Sequence, residues 1–158
     1  MDISGNEEKI LRALVKLNKS LKNMTQEEKD LLINDLCARM PYRTKIQLIE
    51  YSVTGKKLPS EIKILDYCML GKVQAYCNGF RKDEIKPYLF PMSNMTEEQW
   101  KEYQTLKMTD WVEGDINGVF INAGTITDWL NKNHFDYRGL IEKGLAIDAT
   151  NLNIYIEL

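Results

Sequence analysis

Lys45-Ile46-Gln47-Leu48, and after it Ile62-Lys63-Ile64, is where this chain changes its period. Apolar and polar residues alternate one for one, which places the isoleucines and leucine of each run on one side of an extended strand. Val73, Ala75 and Cys77 alternate in the same way with Lys72, Gln74 and Tyr76 and read as a third strand. Tyr88–Phe90, bracketed by Pro87 and Pro91, reads as a fourth, at an edge, because a central strand cannot spare the N–H that proline lacks. Gly55, Pro59, Gly71 and Gly79 fall between these runs at the distances of short antiparallel connections. Residues 41–91 therefore predict a small antiparallel sheet or a partly open barrel.

The flanks on either side of this segment are helical. Ile10, Leu11, Leu14, Val15, Leu17 and Leu21 share one side of a helix over 7–21, with Lys9, Arg12, Lys16 and Lys19 on the other. Thr25 and Glu28 form a capping-box pattern, and Leu31, Leu32, Leu36 and Met40 give the helix that follows an apolar face as far as Pro41. A second capping box, Thr96 with Gln99, opens a helix to about Met108, with a loop over 109–118. Further helices are predicted over about 125–133 and 137–143, the latter closed by Gly144 as a C′ glycine. Alternation returns at 152–157 as a candidate final strand. The fold class is α+β in a single domain over 1–158, helical over 1–40, β-rich over 41–91 and mainly helical over 92–158.

With 158 residues, 44% hydrophobic and 28% charged, the chain is long enough to bury a core without disulfides or a structural metal. Met1–Asn6 is polar and Arg12 interrupts the first apolar group, which does not read as a signal peptide, and no window approaches a membrane span. Three cysteines without C-x-x-C spacing suit a reducing compartment, so a cytoplasmic protein away from membranes is expected. The net charge of -2 conceals an asymmetry: residues 1–91 carry +4 and residues 92–158 carry -6. Such a field can draw an anionic partner to one face or let two copies meet.

Few chemistries are supported. His134 is the sole histidine, and no Ser or Cys stands in a nucleophile motif, which argues against a histidine-dependent triad. Cys37, Cys68, Cys77 and His134 lack the short spacing that seeds a zinc site. Glu113–Gly118 resembles the front of an EF-hand loop, but the twelfth position is Gly124 where a bidentate carboxylate is required. Thr54-Gly55-Lys56 ends like a P-loop, but Glu50 stands where its first glycine would be. No metal, cofactor or catalytic residue is expected. Asp110, Glu113 and Asp115 could serve as acid and base, or simply solvate their loop.

What remains is a constellation of aromatic and basic residues. The sheet segment holds Tyr42, Tyr51, Tyr67, Tyr76 and Tyr88 among Arg43, Lys45, Lys63, Lys72, Arg81 and Lys86. Tyrosine can stack a base while Lys and Arg neutralise phosphate; the plainer reading, and the favoured one, is that tyrosines bury their rings and lysines protect exposed strand edges.

His134-Phe135-Asp136-Tyr137-Arg138-Gly139-Leu140-Ile141-Glu142-Lys143-Gly144-Leu145-Ala146 resembles an uncharacterised family of gut Bacteroidota and their phages and prophages. Leu36–Tyr42 and Lys86–Glu98 resemble it too. That family has no assigned activity, so the resemblance implies a setting: a phage or mobile-element accessory protein. In that setting the expected function is binding, in its most concrete form an anti-defence protein that sequesters a signalling nucleotide. The candidate ligand-binding residues are Tyr42, Arg43, Tyr76, Arg81, Tyr88, Tyr137 and Arg138. A nucleic-acid-binding accessory factor and a protein–protein adaptor or inhibitor acting on a host protein are the alternatives, and a homo-oligomer is compatible with each.

Overall fold

The computed structural model describes residues 24–77, 84–112 and 123–155. Among the described residues, four helices and a four-stranded open sheet make up an α+β fold. Helix α1 (Gln26–Arg39) leads through a 3₁₀ turn (Met40–Tyr42) into β1 (Lys45–Ile49) and β2 (Glu61–Ile64). Then come α2 (Tyr67–Cys77), β3 (Glu84–Leu89), a second 3₁₀ turn (Met92–Asn94), α3 (Glu97–Val112), α4 (Ala123–Lys132) and β4 (Ile147–Asp148).

Both capping boxes form. The Thr25 hydroxyl accepts from the Glu28 N–H at 3.2 Å while Glu28 accepts from the Thr25 N–H at 2.8 Å. Thr96 and Gln99 do the same at 3.2 and 2.9 Å. Helix α3 runs to Val112, past the expected stop near Met108, so its last turn occupies part of the predicted loop. Helix α4 matches the expected 125–133 helix closely. The helix read over 7–21 and the acidic run 113–118 lie outside the described residues.

The sheet order is β2-β1-β3-β4, antiparallel except for the parallel β3·β4 pair, so the sheet is mixed rather than antiparallel and does not close. Two strand assignments are corrected. Residues 73–77 belong to α2: Val73 and Cys77 are four apart as well as even-spaced, so their burial satisfies a helix, and Asp66 caps it by accepting from the Met69 N–H at 2.8 Å. Of the candidate strand 152–157, Leu152–Tyr155 is turn and coil and the rest lies outside the described residues, while the sheet's last strand is Ile147–Asp148.

β3 is a central strand despite Pro87, which corrects the expected edge position. The Leu65 N–H donates to the Thr44 carbonyl, which fixes the phase of the ladder. Ile46 and Leu48 turn their backbone groups to β2, and Lys45, Gln47 and Ile49 turn theirs to β3. Pro87, opposite Ile46, thus points its nitrogen away from β1, and pairing with β4 starts only at Tyr88. The missing donor is therefore not one that the ladder with β1 uses.

Ile46, Leu48, Ile85 and Leu89 turn one face of the sheet toward Leu32 and Leu36 of α1 and Val73 and Cys77 of α2, forming the core with Leu140, Leu145 and Ala146. The 137–143 segment is a run of turns rather than the expected helix. Asp136 explains this, because its carboxylate accepts from the N–H groups of Leu140 and Ile141 at 2.9 and 2.8 Å and folds the chain back locally. Gly144 does take the left-handed conformation expected of it, with φ +72°.

Candidate functional site

Leu32, Asp35, Leu36 and Arg39 fall at i, i+3, i+4 and i+7 on the inner face of α1, so two charged residues enter the protein with two leucines. The Arg39 Nε donates to Asp35 Oδ2 at 2.7 Å, with both side chains fully buried. Arg39 Nη2 donates to the Phe135 carbonyl at 2.8 Å and so ties α1 to the chain leaving α4. That chain runs beside β3 where β1 has ended: the Phe90 N–H donates to the His134 carbonyl and the Asp136 N–H to the Phe90 carbonyl.

Two residues further on, Tyr137 and Arg138 complete a cation–aromatic cluster. The Arg39 and Arg138 guanidinium carbons lie 5.5 and 5.1 Å from the Tyr137 ring centroid. Arg138 Nε stands 3.8 Å from Asp35 Oδ1, within ion-pair range but beyond hydrogen-bond range. Two guanidinium groups therefore share one carboxylate, and Arg138 keeps a quarter of its side chain exposed. Arg39 Nη1, Tyr137 Oη and Asp35 Oδ1 are buried without a hydrogen-bond partner among the described residues. Arg39 Nη1 is a donor, Asp35 Oδ1 an acceptor and Tyr137 Oη either, so the buried cluster holds unused hydrogen-bonding capacity of both kinds.

The remaining candidates are dispersed. Tyr42 and Arg43 leave the same end of α1, Arg43 exposed with φ +54° and Tyr42 half-buried. Burial and a hydrogen bond to Asp128 raise the Tyr42 phenol above its ordinary pKa. Tyr88 is 6% exposed, with its ring inside the protein rather than offered to a base. Tyr76 lies on α2, not on a strand, and Arg81 lies outside the described residues. Of the seven, Tyr137 and Arg138 are in direct contact. Asp35 and Arg39, which complete their cluster, carried a legible signal: charges at helical spacing inside an apolar stripe.

His134 adjoins this cluster but is not free to exchange protons near neutrality. Burial, with the positive charges of Arg39 and Lys45, lowers its pKa from 6.5 to about 4. Its Nδ1 is 3.2 Å from the Thr44 hydroxyl, and its ring is stacked on Tyr155. The Cys77 thiol is buried and its pKa raised by that burial, while Cys37 and Cys68 are exposed. No group of three or more metal-ligating side chains occurs among the described residues, and no helix among them is long and apolar enough to cross a membrane. Comparison with protein-family models, curated proteins and solved structures finds no match.

Proposed function

We propose that this protein acts by binding, as a phage or mobile-element accessory protein that holds an anionic nucleotide signal in the host cytoplasm and so blunts a defence response. The observation that carries the reading is the charge imbalance at Tyr137, where Arg39 and Arg138 lie against one ring and share the single carboxylate of Asp35. A phosphate-bearing ligand at the exposed edge of Arg138 would balance that charge, and Arg pairs well with phosphate through its planar fork. The resemblance of 134–146 to the phage-associated family supports the setting, and two members of the cluster, Tyr137 and Arg138, belong to that string.

Melting the protein with a panel of cyclic nucleotides, cyclic dinucleotides and ADP-ribose derivatives tests the reading. A ligand at about 100 times its Kd adds about 2.7 kcal/mol of stability, enough to be seen as a clear shift. Arg138→Gln should abolish the shift while leaving the unliganded protein folded. Absence of a shift with every member of the panel would refute the nucleotide reading.

A further inference from the structure

We infer that β2 is a self-pairing edge, and that two copies of this chain join antiparallel along it about a two-fold axis at Ile62. Among the described residues β2 ends the sheet order and pairs with β1 alone, and all four of its residues are exposed. The backbone phase set by the Leu65 to Thr44 hydrogen bond points Glu61 and Lys63 at β1. Ile62 and Ile64 therefore present their N–H and carbonyl groups outward.

That phase restricts the registers open to a second copy, because outward groups must meet outward groups. Centred on Ile62, the pairing sets Ile62 against the partner's Ile62 as a hydrogen-bonded pair and each Glu61 against the partner's Lys63 as a non-hydrogen-bonded pair. The latter is the geometry in which facing side chains come closest. Centred on Lys63 the same strand would set lysine against lysine, and centred on Glu61 it would set glutamate against glutamate. The sequence Glu61-Ile62-Lys63-Ile64 is thus charge-complementary to itself in one register alone. Glu61 and Lys63 now pair with each other at 2.6 Å, both about half exposed, and would exchange that contact for two across the axis.

The apolar side agrees. Ile62 and Ile64 are 54% and 41% exposed, on the sheet face away from α1 and α2. With Lys45, Lys63 and Ile154 they line an open groove of about 260 Å³. Pairing at Ile62 brings the two Ile62 side chains together on that face, and the two four-stranded sheets become one of eight strands.

Sedimentation velocity over a concentration series is the test. The wild type should populate a dimer whose fraction rises with concentration. Ile62→Pro removes one outward N–H and none used by β1, so it should stay folded by circular dichroism and sediment as a monomer. Glu61→Lys and Lys63→Glu each set like charges opposite one another and should weaken the dimer roughly tenfold or more. Mixed in equal amounts, these two variants restore both attractive pairs and should recover the dimer. A wild type that stays monomeric throughout, or a mixture no tighter than its separate components, overturns the inference even if Ile62→Pro fails to fold.

Discussion

His134 lies flat on Tyr155, ring centroids 3.9 Å apart and planes within 15°, although 21 positions separate them in the chain. The pair closes the end of the sheet next to the Arg39 cluster, and it is held with the imidazole neutral. In the unfolded chain His134 takes up a proton near its ordinary pKa of 6.5, whereas in the fold it does so only at about 4. As pH falls through that window the unfolded state binds the proton first, so stability declines from about pH 6.5 and levels off below about 4. Because the ring keeps some contact with solvent, the loss should be about 2 kcal/mol rather than the full value of the shift. His134→Asn, which suits the φ of +58° at this position, should flatten that part of the profile in urea titrations on either side of the window.

The Asp35–Arg39 pair makes a different demand. Removing one partner leaves a buried charge without its counter-ion, so Arg39→Met should destabilise by about 3–5 kcal/mol. The double variant Asp35→Leu with Arg39→Met leaves no stranded charge in the pair and should be more stable than the Arg39→Met single variant. A double variant no better than that single one would mean that the Arg39 bond to the Phe135 carbonyl, not the ion pair, dominates.

These two pairs also show how far the residues could be read in advance. β1, β2, α1 and α4 follow from local periodicity, and both capping boxes are local hydrogen-bond patterns, so all of them are visible in the sequence. α2 was hidden because Val73 and Cys77 satisfy a period of two and a period of four alike. The central place of β3 was hidden because Pro87 matters only through the direction in which its nitrogen points, and that is fixed by a hydrogen bond between Leu65 and Thr44. At the candidate site, adjacency made Tyr137 and Arg138 legible. Their contacts to Asp35 and Arg39 depend on tertiary packing across about a hundred residues, to which no local pattern refers.

Gly144 offers a small and clean perturbation. Its φ is +72°, and beyond its chain neighbours no atom among the described residues lies within 4 Å of where a Cβ would stand, so alanine there meets backbone strain and no collision. Gly144→Ala should therefore cost about 1–2 kcal/mol by chemical denaturation. Gly144→Asn, whose side chain tolerates the left-handed region, should cost less. Equal losses for both variants would point to packing around the Leu140 to Leu145 turn instead.

Tyr155 supplies the last prediction, because its hydroxyl stands in for a rung of the sheet. Continuing the β1·β3 register past Ile46 and Pro87 sets Lys45 opposite Tyr88 as the next hydrogen-bonded pair. Between them the Tyr155 hydroxyl accepts from the Lys45 N–H at 2.9 Å and donates to the Tyr88 carbonyl at 2.8 Å. Tyr155→Phe keeps the ring against His134 and strands both backbone groups, so it should cost about 2–4 kcal/mol. It should also speed amide exchange at Lys45 ahead of the rest of β1, while leaving the His134 pH profile in place. Tyr155→Leu removes the stack as well, and the protonation of His134 should then move back toward its ordinary range as the imidazole gains solvent. If Tyr155→Phe leaves exchange at Lys45 unchanged, the Lys45 and Tyr88 groups have closed on each other directly, and the hydroxyl is dispensable to the sheet.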